Sequence, residues 1–181
     1  MPRRFIALVG LVVAALTGLY LGMSVRSSHE VVEESAPPTT ELVTGAAFPD
    51  VDLVSEDGSS TSSRTMLGGE GGVVLFLLPG RAPCKDMSTE WQRRLDDGEL
   101  ADVHFYAVAN APADRIALYK GNNHYSFPIV ADTAGVFGRE HRVEDFPLLI
   151  VVDRNHVIRH QTWDPAELVE MAAVRRMIAG E

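Results

Sequence analysis

The residue best suited to chemistry is Cys84, the only cysteine in 181 residues. It lies in Leu78-Pro79-Gly80-Arg81-Ala82-Pro83-Cys84-Lys85, directly after an apolar run. A thiolate attacks a disulfide sulfur or a peroxide oxygen. A position in the first turn of a helix, with Arg81 and Lys85 beside it, favours that ionised form. A single cysteine cannot close an intramolecular disulfide, so a self-contained dithiol cycle is excluded, and so is a cysteine-based zinc site. The plainer reading of a lone cysteine is a buried packing residue.

Other polar groups have quieter readings. Met87, three residues beyond Cys84, would put two soft sulfurs on one helix face, a pairing that suits Cu(I). At that spacing Met87 reads better as core. His156 and His160 lie four apart on an expected strand and so share a face, as solvated hairpin residues. His124 and His141 have no visible partner. Asp132, Asp153 and Asp164 read as turn and capping residues. No cofactor and no metal are expected. The formal charge of −9 leaves no basic stripe to displace counterions from phosphates, so a nucleic-acid partner is excluded.

The elements that must position Cys84 alternate between strand and helix. Residues 73–78 (VVLFLL) form a continuous apolar run, as in a central strand buried on both faces, and stop at Pro79-Gly80. A helix is expected over 83–97, with proline tolerated in its first turn and Gly98 as its stop. Before them come a short strand at 51–55 and a glycine-rich loop with a second short strand over 59–72. After them come a strand at 103–109, a helix at 113–120, a core strand at 128–131 and a helical stretch at 133–138. Residues 147–153 and 157–163 pair as a hairpin around Arg154-Asn155, and Asp164 caps a last helix reaching Ile178. The pattern predicts a three-layer α/β domain with a mixed central sheet and flanking helices.

From Phe76 to Cys84 the chain resembles the thioredoxin superfamily, in particular the membrane-tethered TlpA/ResA type (redoxin, AhpC/TSA-like) domains. That family ends its first core strand with a phenylalanine and places two cysteines five and eight residues later. Those offsets land on Arg81 and Cys84, so Arg81-Ala82-Pro83-Cys84-Lys85 resembles C-A-P-C-K with the first cysteine replaced. Phe127-Pro128-Ile129-Val130-Ala131-Asp132 and Arg142-Val143-Glu144-Asp145-Phe146-Pro147 are similar to two further segments of the family. The resemblance implies a thioredoxin-like fold over about 46–180, a cis Pro147 facing the site, and Cys84, Arg81 and Pro147 as the site residues. It also shows what is missing: the exposed attacking cysteine, and the buried acid, whose place is taken by Leu75. Peroxiredoxins share the fold and set their peroxidatic cysteine at the position of Cys84, but Arg81 stands where their threonine belongs.

The N-terminal residues have separate physics. Residues 6–25 (IALVGLVVAALTGLYLGMSV) carry no charge and would span about 30 Å as a helix, the depth of a bilayer core. The run is longer than a signal-peptide core and lacks an A-x-A site, so an uncleaved anchor is expected over 1–26 rather than a cleaved leader. Arg3 and Arg4 would stay on the cytoplasmic side, which puts the rest of the chain outside the membrane. Residues 27–45, rich in Ser, Thr, Pro and Glu, are expected to be a disordered tether, and 46–181 the thioredoxin-like domain.

Two function classes remain. One is a membrane-anchored, extracytoplasmic thiol oxidoreductase acting through Cys84 alone on a partner protein's thiol or disulfide, a small thiol, or a peroxide. The other is a redox-inactive module that binds an extended segment beside Pro147. They divide on whether Cys84 is accessible, and partial shielding is expected, because a polar Arg81 should keep the mouth of the site wet.

Overall fold

The computed structural model describes residues 40–164, 167 and 170–181. The expected anchor over 1–26 and most of the expected tether lie outside the described residues. No helix among the described residues is long and apolar enough to cross a membrane.

Seven strands form one mixed sheet: β1 (Asp52–Val54), β2 (Ser60–Ser62), β3 (Gly72–Leu77), β4 (His104–Ala109), β5 (Ile129–Ala131), β6 (Leu148–Val152) and β7 (Ile158–Thr162). Their order across the sheet is β2-β1-β5-β4-β3-β6-β7. β3, β4 and β5 run parallel, joined by helical crossovers, while β6 returns antiparallel against β3 and carries β7 as a hairpin. The helices are α1 (Ser63–Met66), α2 (Ala82–Asp96), α3 (Ala113–Asn123), α4 (Val136–His141) and α5 (Met171–Ala179).

Every residue of β3 is buried, as its apolar run requires of a strand covered on both faces. Period-2 alternation splits that run between two cores. Val73, Leu75 and Leu77 face one core with Cys84, Met87 and Trp91 of α2, whereas Val74 and Phe76 face the other. Trp91 stacks on Phe105 at 4.9 Å, which docks α2 on the sheet. On the opposite face Phe76 meets Phe137 edge to face at 4.7 Å, which docks α4. Truncating Phe76 to alanine would remove about 3–5 kcal/mol of packing. Gly71 enters β3 with φ of 77°, and a Cβ there would lie 2.5 Å from the Val152 carbonyl oxygen, so only glycine fits.

Two boundaries differ from the sequence reading. Thr40–Gly45, expected in the tether, belong to the folded domain. The Thr40 hydroxyl and the Glu41 amide both donate to the His141 carbonyl, at 3.0 Å each, and Leu42 is buried. Apolar Leu42 finds a site beneath the end of α4 that composition alone does not reveal. The last helix starts at Met171, with Glu170 as N-cap, so Asp164 does not cap it. Instead the Asp164 amide is bound by the Thr162 hydroxyl at 3.1 Å, just beyond β7.

Candidate functional site

Local sequence builds the site where β3 ends. Pro79-Gly80 breaks the strand with a turn, closed by the Arg81 amide donating to the Leu78 carbonyl at 3.2 Å. Gly80 supplies the positive φ, 95°, that this turn needs. Arg81 is then the N-cap of α2, extended at φ −83° and ψ 133°, and Pro83 sits in the first turn, where its missing N–H costs nothing.

Cys84 follows in that first turn. Its Sγ accepts a hydrogen bond from the Leu78 amide at 3.4 Å, and its fractional exposure is zero. Burial pushes the thiol above its ordinary value; the Leu78 amide and the Arg81 guanidinium pull the other way and do not overcome it. The resting group is therefore a protonated thiol. This corrects the expectation of partial shielding. Arg81, Ala82 and Pro83 are all exposed, yet Cys84 is not. Arg81 reaches solvent from the N-cap while the Cys84 side chain stays covered.

Pro147 is preceded by a cis peptide bond and is buried. It immediately precedes Leu148, which pairs with Phe76 in β6. Arg81, Cys84 and Pro147 thus gather at the C-terminal ends of the parallel strands, the usual position of a site in an open α/β sheet. Leu75, in the place of the family's buried acid, is fully buried in the same core as Cys84.

Several groups here escape sequence reasoning. The Leu78 amide is a backbone donor with no side-chain signature. On the Cys84 face, buried Ser88 lies one turn further along α2 and accepts from the Tyr119 hydroxyl at 3.5 Å. Burial raises the Tyr119 phenol well above its ordinary range, so it remains a neutral donor. On the opposite face a cavity of about 530 Å³ is lined by residues that include Asn110, Thr133, Arg139, Glu144 and Phe146. Asn110, one of the lining residues, follows Ala109, the register partner of Leu77. Arg139 and Glu144 come from α4 and the loop after it, and only the fold aligns them.

The remaining candidates fall into structural roles. Met87 is buried core beside Cys84. Asp132 caps α4, accepting from the Val136 and Phe137 amides at 2.9 Å each. Asp153 accepts from the Asn155 and Val157 amides at 2.8 Å and binds Arg159 at 2.6 Å. His156 and His160 do not share a strand face: His156 occupies the turn at φ 58°, before β7 begins. Nor is His160 fully solvated, for its Nε2 is buried without a hydrogen bond, 3.6 Å from a Glu167 carboxylate oxygen. Among the described residues no group of three or more His, Cys, Asp or Glu side chains could hold a metal ion.

Solved structures share this fold at low identity. The thioredoxin domain of a thiol-disulfide oxidoreductase from Bacteroides vulgatus is 20% identical, with a TM-score of 0.58 over 75% of this chain and 96% of its own. A secreted disulfide oxidoreductase from Mycobacterium tuberculosis is 14% identical, with a TM-score of 0.56 over 72% and 96%. The peroxidoxin BcpB from the same organism is 15% identical, with a TM-score of 0.55 over 75% and 92%. No curated protein matches the sequence. The sheet and its flanking helices are thioredoxin-like. The AhpC/TSA family model matches residues 44–161, which include the whole site, and the chain belongs to the AhpC/TSA family.

Proposed function

We propose that this protein is a membrane-anchored, extracytoplasmic redoxin in which Cys84 alone performs slow thiol oxidoreductase chemistry. The observation that carries the reading is the setting of its sulfur. Cys84 Sγ lies in the first turn of α2, receives the Leu78 amide, and feels the Arg81 charge. These groups stabilise a thiolate or sulfenate once it forms. The thiolate attacks one oxygen of hydrogen peroxide, the O–O bond breaks, and Cys84 becomes a sulfenic acid while the hydroxide released takes a proton from solvent and leaves as water. An external thiol then condenses with it, releasing water and leaving a mixed disulfide. A second external thiol reduces that disulfide and restores Cys84. A protein disulfide is the harder substrate, because a buried sulfur is reached only when the first turn of α2 opens. The apolar run at 6–25 supports the anchor, and Arg3 and Arg4 support its orientation.

A second reading, a binding module without redox turnover, is favoured by the complete burial of Cys84 and by arginine in place of an attacking cysteine. Alkylation of the native protein against pH, with Cys84→Ser as the control, separates the two. Burial raises this thiol above its ordinary value, so it is largely protonated near neutral pH and the rate should climb steadily with pH from 7 to 8.5. Labelling that appears only after denaturation would remove the redox reading and leave the module.

A further inference from the structure

The peroxide step leaves one buried polar pair beside Cys84 unassigned. Ser88 is fully buried and stands one turn after Cys84 on the same face of α2, about 6 Å along the axis. Side chains on a helix lean toward its N-terminus, so the Ser88 hydroxyl leans over the turn that holds Cys84. There it accepts from the Tyr119 hydroxyl at 3.5 Å. Tyr119 belongs to α3 and is buried in the same core as Cys84.

That phenol is loosely held. Paired hydroxyls usually close to about 2.7–2.8 Å, so 3.5 Å is the outer limit of a hydrogen bond. A phenol has one O–H to donate. The neighbouring Tyr125, whose ring lies 5.5 Å from that of Tyr119, directs its own to the Lys85 carbonyl at 3.3 Å. Burial above all, with Tyr125 and Cys84 adding to it, raises the Tyr119 phenol, so it keeps its proton. The other elements packed on the thiol offer no such donor. β3 contributes Val73, Leu75 and Leu77 to this core, and α5 contributes Met171 and Val174, none of them titratable. Besides the Leu78 amide, the charged group that bears on the sulfur is Arg81, which is exposed at the N-cap.

We propose that Tyr119 is the side-chain donor to the Cys84 thiolate: its O–H rests on Ser88 while the thiol is protonated and turns to the sulfur when it ionises. Ser88 is then a competing acceptor that holds the donor back. This role serves the redox reading of Cys84 and rests on it only for what the thiolate does next.

The test is ultraviolet titration of the Cys84 thiolate in the full-length protein, each variant measured against its own Cys84→Ser counterpart so that tyrosine absorbance cancels. Tyr119→Phe keeps the ring and removes the donor. It should raise the Cys84 midpoint by about one pH unit, as expected for loss of a hydrogen bond to a charged acceptor. Ser88→Ala removes the competing acceptor and should lower the midpoint, and the double variant should titrate like Tyr119→Phe. A hydroxyl pair with a purely structural role gives another pattern, because both single variants break the same bond and shift the midpoint alike. A Tyr119→Phe midpoint equal to the parent's, a Ser88→Ala midpoint that is not lowered, or a thiol that never ionises in the folded protein overturns the proposal. Failure of the redox reading looks different: the midpoints follow the expected pattern while native Cys84 resists alkylation.

Discussion

Arg81→Cys tests whether the site remains competent for disulfide chemistry. Arg81 is an exposed N-cap whose side chain makes no capping hydrogen bond, so the substitution itself should change stability by under about 0.5 kcal/mol. The new thiol would stand in water at the N-terminus of a 15-residue helix. The helix dipole is worth roughly 0.3–1 kcal/mol there, which lowers a thiol from about 8.5 to about 8. Removing the guanidinium also removes one of the two influences that hold the Cys84 thiol down. The pair is then graded, with an exposed attacker of lower pKa and a buried resolver of higher pKa. An N-cap and a residue three further on stand about 5 Å apart in a helix, within the 4.4–6.8 Å that a disulfide spans. Closing a four-residue loop should stabilise the oxidised form by about 2 kcal/mol on the chain-entropy account. The assay is urea unfolding of the oxidised and reduced variant, with insulin reduction by dithiothreitol measured alongside. The expected outcome is a more stable oxidised form and turnover absent from the parent. An oxidised form less stable than the reduced one would refute the reasoning, because it would mean that Cys84 cannot leave the Leu78 amide without distorting the core.

Asp153→Asn should cost about 1–2 kcal/mol at pH 7 by thermal unfolding. Burial raises this carboxyl, but the Val157 amide, the Arg159 guanidinium and the Asn155 amide outweigh it and hold the group below its ordinary value. A depressed folded-state pKa gives stability that is present above the unfolded value and lost as pH falls through the folded one, so the gap between variant and parent should close in acid. For Cys84 the sign is opposite. Its raised pKa gives stability that is full below the unfolded value and lost as pH rises through the folded one, and the Cys84→Ser protein should lack that alkaline loss. Deleting residues 2–26 should move the protein from the membrane to the soluble fraction without lowering its melting temperature, since the two cores of the described domain are filled by residues from Leu42 onward. Unfolding of the truncated chain would mean that the apolar run completes the core.

Much of the architecture was legible in the residues because local rules decided it. The apolar run at 73–78 could only be a doubly buried strand, and Pro79-Gly80 with Pro83 could only be a strand end followed by a helix start. Phe146-Pro147 offered the one X-Pro bond whose cis form the resemblance required, and the peptide is cis. The spacing of Cys84 from Phe76 placed the thiol in the first turn of α2. The last helix departs from its local signal: Asp164-Pro165 is a sound start, yet the Asp164 amide bonds the Thr162 hydroxyl beside β7 and the described helix begins at Met171, after Glu170.

Burial of Cys84 was a matter for tertiary structure alone. Sequence showed two opposing influences on the thiol, a helix start with neighbouring cations and possible desolvation, and could not weigh them. Their balance depends on how tightly α2 lies on the sheet, which is set by contacts such as Trp91 on Phe105, residues 14 apart in sequence. The cavity charges were equally hidden. Arg139 and Glu144 look like ordinary surface residues in sequence, and only the return of the chain through Pro147 into β6 sets both beside Asn110 at the end of β4. Local signals determine elements because backbone sterics and side-chain period act over a few residues. Accessibility and charge pairing depend on atoms from distant segments, so they exist only once the sheet has closed its order.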